Sequence, residues 1–124
     1  MLSALLGNAK DIDPERLDAE FADLLIAGEQ IENAYQLFRD LIVFTNHRLV
    51  LVDKQGITGT KRVYVSIPYR SVDYFSKETA GHFDMDAEIS IHIKGRPTPL
   101  VLEFKRGNNI HDVFRVLSHH VLSK

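Results

Sequence analysis

Residues 41–54 read LIVFTNHRLVLVDK. Two apolar, β-branched runs, LIVFT and RLVLVDK, are separated by Asn46-His47, a two-residue turn suited to asparagine because that residue tolerates positive φ. A hairpin at this point decides the class, and the strand signal continues downstream. KRVYVSIPY (61–69) alternates Val63, Val65 and Ile67 against polar neighbours. YRSVDYFSKET (69–79) places Val72, Tyr74 and Ser76 on one face and Asp73, Phe75 and Lys77 on the other. AEISIHIKG (87–95) alternates strictly, with Ile89, Ile91 and Ile93 inward. Arg96-Pro97-Thr98-Pro99 is a turn, and LVLEFK (100–105) returns as a strand. Pro68 lacks a backbone donor, so it demands an edge strand or a bulge.

Beyond the strands the period changes. In NNIHDVFRVLSHHVLSK (108–124), Asn109 is placed to cap a helix whose buried stripe is Ile110, Val113, Phe114, Leu117 and Val121. Upstream, Asp13-Pro14-Glu15-Arg16 is a helix start, and Leu17, Phe21, Leu24 and Leu25 form one apolar stripe that ends at Gly28. Residues 1–10 are compatible with a short preceding helix. EQIENAYQLFRD (29–40) fits helix through Ile31, Ala34, Tyr35 and Phe38, and strand through Ile31, Tyr35 and Leu37. Periodicity alone leaves both open. Consecutive short strands followed by one amphipathic helix predict a curled antiparallel sheet packed against that helix.

The chain has 124 residues, enough for one domain whose core needs no staple. It contains no cysteine, which excludes disulfides and thiolate metal sites and suits a reducing compartment. The N-terminal apolar patch is too short for a signal peptide, and no apolar run reaches the ~20 residues of a membrane span. A cytoplasmic location is the expectation. The net charge of −2 is uneven: residues 1–40 hold three basic and nine acidic groups, residues 41–124 twelve and eight. The longest basic clusters are pairs, Lys61-Arg62 and Lys105-Arg106, which argues against nucleic acid.

Ordered along the chain, Asp40, Thr45-Asn46-His47-Arg48-Leu49, Val52-Asp53-Lys54-Gln55-Gly56 and Thr58-Gly59-Thr60-Lys61 resemble the bacterial pleckstrin-homology (PH-like) domain family. The resemblance continues through Ser66-Ile67-Pro68-Tyr69-Arg70-Ser71-Val72, Phe75-Ser76, Glu78-Thr79-Ala80-Gly81, Phe83-Asp84 and Asp86-Ala87-Glu88. It covers roughly residues 29–122. It implies a mainly β, α+β fold: seven strands in a bent antiparallel barrel capped by the C-terminal helix. The strands fall near 31–38, 41–45, 48–54, 61–68, 70–78, 87–94 and 99–105. On this reading residues 1–28 form an N-terminal helical extension and residues 29–124 the PH-like domain.

Proteins similar to this are not known as enzymes, and the short bacterial members resemble proteins that close into rings. Lipid-binding relatives use basic residues in a long loop between their first two strands. Here that connection is little more than Arg39-Asp40.

The loop Asp53–Arg62 carries Lys54, Lys61 and Arg62 with Gly56 and Gly59, a composition that suits a phosphate or anionic lipid. It lacks P-loop spacing and reads rather as a wet hairpin turn, since about three cations contribute only on the order of 3 kcal/mol at an anionic surface. His82, Asp84, Asp86 and Glu88 alternate as metal ligands would, but all come from one short segment, and no metal site is assigned. His111, His119 and His120 lie on the last helix and are expected to be solvated. No nucleophile motif, cofactor motif or catalytic constellation is visible. The strands on either side of Pro68-Tyr69-Arg70 are close in sequence, and an exposed edge there suits pairing with another copy. Tyr64, Tyr69, Arg70 and Tyr74 are the candidate interface residues. The expected partners are therefore the chain itself, possibly other proteins, and at most a peripheral membrane surface.

Overall fold

The computed structural model describes residues 10–37, 40–55, 61–79, 87–105 and 109–123, with the backbone alone at Lys10, Asp11, Lys54 and Gln55. A five-stranded antiparallel sheet runs β1 (Lys10–Asp11), β2 (Ile31–Gln36), β3 (Asp40–Thr45), β4 (Arg48–Gln55), β5 (Lys61–Pro68), in that spatial order. A three-stranded sheet runs β6 (Val72–Glu78), β7 (Ala87–Ile93), β8 (Leu100–Phe104). The C-terminal helix, Ile110–Leu122, packs against β6, β7 and the turn between the sheets.

The interior is one apolar cluster shared by both sheets and the helix. Tyr35, Ile42, Phe44 and Leu49 meet Ile89, Ile91, Leu102 and Phe104 below Ile110, Val113 and Leu117. The first sheet is also buried on its outer face, where Ala34, Leu41, Val43, Val50 and Val52 lie under Leu17 and Phe21. That explains the sequence from Leu41 to Val52. A strand wetted on one face alternates, whereas these strands are covered on both sides and read as continuous apolar runs.

The N-terminal segment opens as foreseen, with Asp13 capping through the Glu15 amide at 3.1 Å and Pro14 leading a 3-10 turn, Pro14–Leu17. The α-helix that follows is only Asp18–Phe21. The amides of Leu24 and Leu25 both donate to the Phe21 carbonyl, at 2.9 and 3.1 Å, and Gly28 turns the chain with φ +83°. Before it, Lys10–Asp11 adds a strand to the sheet, paired with Gln36 and Tyr35, where the sequence suggested helix up to residue 10. The earlier part of that expectation, residues 1–9, lies outside the described residues.

Two bulges correct the expected faces. The β2–β3 register shifts between Ile31 and Asn33, so Ile31 joins the outer cluster while Tyr35 and Leu37 point into the interior. The β6–β7 register shifts between Val72 and Tyr74, so Val72 and Phe75 pack on the core and Tyr74 faces outward. An extra residue in one strand reverses every side chain beyond it. Pro68 ends β5, the edge of its sheet, as its missing donor requires. Asn109 stands at the helix start with φ +60° and makes no side-chain cap bond. Its carbonyl accepts from the Val113 amide at 3.0 Å.

Candidate functional site

The structure separates the residues singled out from the sequence. Of the basic loop, residues 56–60 and the Lys54 side chain lie outside the described residues, as do Arg39, Arg106 and the acidic segment 82–86. Lys61 and Arg62 are exposed at the start of β5. The Arg62 guanidinium lies 3.7 Å from the Glu20 carboxylate. Tyr64 donates to Glu20 at 2.7 Å and meets the Phe21 ring edge-on at 5.8 Å. That hydrogen bond, then burial, raises the Tyr64 phenol above its ordinary pKa. Tyr69, expected at an interface, is instead a core residue, 8% exposed, with its hydroxyl donating to the Thr45 carbonyl at 2.7 Å. Burial raises its pKa far above the usual phenol value. Tyr74 is 57% exposed and stacks flat on His92 at 3.9 Å. Among the described residues no group of three or more His, Asp or Glu is placed to hold a metal. None of the described helices is long and apolar enough to cross a membrane.

The motif Thr45-Asn46-His47-Arg48 is a structural knot. Glu29, buried, receives Arg48 in a two-pronged ion pair at 2.7 and 2.8 Å, and the Thr45 hydroxyl at 2.6 Å. The Arg48 guanidinium also donates to the Leu24 carbonyl at 2.8 Å and to Ser66 at 3.0 Å. Asn46 closes the knot by donating to the Gly28 carbonyl and accepting from the Gln30 amide. The Arg48 hydrogen bond holds the Glu29 carboxyl at about 2 against an ordinary 4.5, outweighing burial. Glu29 was not legible in the sequence, because its partner is nineteen residues away and no periodicity links them.

Beside the knot, the β3–β4 turn, the Tyr69–Ser71 turn and the last turn of the helix enclose an open cleft of about 320 Å³. Asn46, His47, Tyr69, Arg70, His119, His120 and Ser123 line it. His120 is not solvated as expected. Its side chain is 10% exposed and lies between Tyr69, stacked at 4.5 Å, and Phe44 at 5.9 Å. Its Nε2 sits 3.4 Å from Glu32. Burial lowers its pKa, which the Glu32 charge opposes. The one sequence sign was a histidine pair flanking the apolar stripe of the last helix.

Two sheets, a bent interior and a single capping helix are the arrangement that the sequence resemblance implied. The family model described as "Bacterial PH domain" matches residues 1–121. The chain belongs to the bacterial PH domain family. As a bacterial PH domain it is similar to two solved structures. One is a pleckstrin homology domain from Shewanella amazonensis, 46% identical with TM-score 0.81, covering 97% of each chain. The other is a DUF1696 family protein from Shewanella loihica, 42% identical with TM-score 0.81, covering 93% of this chain and 98% of that one. It is also similar to the uncharacterized protein YjqA of Bacillus subtilis, 49% identical over 118 residues and 94% of each chain. The uncharacterized protein YvbH of the same organism is 31% identical over 87% of this chain, which spans 55% of YvbH.

Proposed function

We propose that this PH domain is a non-catalytic assembly module that joins copies of itself edge to edge. One observation carries the reading: the two sheets end in edge strands, β5 and β6, that are consecutive along the chain. β5 pairs only with β4 and β6 only with β7 among the described residues, and the two are joined by the three-residue turn Tyr69–Ser71. An edge strand presents a row of unpaired backbone donors and acceptors, which a strand of another chain satisfies. The two edges differ, so pairing β5 of one copy with β6 of the next is head to tail and generates a ring where the rotation closes. Tyr64 and Tyr74 face outward on these strands, with Arg70 at the turn between, in place of the full four-residue set. YvbH, in which the matching region is about half the chain, suits a domain used as a module.

Native mass measurement of the full chain at micromolar concentration is expected to give a discrete multiple of 14.1 kDa. Y74E is expected to shift it toward monomer with an unchanged circular dichroism spectrum. Amide exchange across Val63–Ile67 should slow as concentration rises. A monomer with concentration-independent exchange overturns the reading. The second reading, peripheral binding of anionic lipid through Lys54, Lys61 and Arg62, is weakened by Glu20, whose carboxylate partly answers Arg62. It requires co-sedimentation with phosphatidylglycerol vesicles at low salt that fades as salt is added.

A further inference from the structure

We infer that the cleft between the β3–β4 turn and the end of the C-terminal helix binds the phosphate group of a small soluble phosphomonoester. The inference does not depend on the assembly reading. The groups lining the cleft include donors: the Arg70 guanidinium and a ring N–H on each of His47 and His119. Among the described residues no carboxylate lines it. Arg70 is exposed and has no ion-pair partner among the described residues, so its fork is free to meet a planar pair of phosphate oxygens. The cleft is larger than a bare phosphate and lies at the low end of small-molecule pockets, which leaves room for a few further atoms beside the Tyr69 and His120 rings. It is also distinct from the basic loop of residues 54–62. β4 begins beside the cleft at Arg48 and ends seven residues later at Gln55, opposite Lys61 and roughly 23 Å away.

His47 and His119 are exposed, and His119 stands in the last helical turn. The groups facing them are Arg70 from the inter-sheet turn and His120 from the same helix, and each imidazole has a ring N–H to donate. Glu32 on β2 lies against His120, and Glu29 is engaged with Arg48.

The test is titration of the full chain with inorganic phosphate and with glycerol phosphate, by calorimetry and imidazole NMR. Binding is expected, with His47 and His119 resonances moving and His92 unmoved. R70Q is expected to weaken binding about tenfold, and H119Q to weaken it while the protein stays folded. Equal shifts at His92, affinity indifferent to R70Q and H119Q, or binding only to anionic vesicles would each overturn the assignment.

Discussion

Glu29 shows how one residue can set a local architecture without contributing to the core. Its carboxylate collects Arg48, the Thr45 hydroxyl and the Ile26 amide, tying the segment before β2 to the β3–β4 turn. Every buried side-chain nitrogen or oxygen among the described residues has a partner, so loss of one member leaves the other desolvated and unpaired. E29Q removes the charge and keeps the shape. It is expected to destabilise the fold by about 3 kcal/mol, because Arg48 is left without its counter-ion in a largely buried position. Urea unfolding at neutral pH measures this, and R48M should cost a similar amount. A double variant costing much less than the sum of the singles would locate the coupling in this pair. The family pattern in Thr45-Asn46-His47-Arg48 was visible in the sequence. That it serves folding was not, since the partner carboxylate is remote along the chain.

At the scale of elements, the acidic N-terminal segment is a lid on the outer face of the first sheet. Leu17 and Phe21 seal Val43, Val50 and Val52, and Phe21 is wholly buried. F21A is expected to lower stability by roughly 3–5 kcal/mol, the range for an aromatic deleted from a core. It should also make Tyr64 more accessible, since the ring it meets edge-on is gone. Thermal unfolding and Tyr64 quenching measure the two effects. The strand boundary at 31 came from the family resemblance, whereas those at 48, 61 and 87 were legible, because alternation or continuous β-branched character marks them. The two bulges were not. A bulge inserts one residue without changing composition, so the faces of Ile31 and Tyr74 came out reversed.

At the scale of the whole molecule, acid should lower the stability of the fold in two stages. Burial favours neutral His120 in the folded state, so stability is greatest above the ordinary histidine value of 6.5 and declines below it until the folded group also protonates. Glu29 is the opposite case. Its stabilisation is complete above 4.5 and is lost as pH falls from there toward about 2. Urea midpoints against pH should show both stages, with H120F flattening the upper and E29Q the lower. A single decline unaffected by H120F would contradict the assigned environment. Periodicity and backbone chemistry in the sequence determined the β-rich class, the strands from Leu41 onward, the restriction of Pro68 to an edge or bulge and the last helix; the first of the seven strands came from the family resemblance. Only the tertiary structure decided that the first sheet is covered on both faces, that Tyr69 and His120 are buried, and that His47, Arg70 and His119 share one cleft. Those facts depend on residues far apart along the chain, brought together by two sheets bending over a common interior.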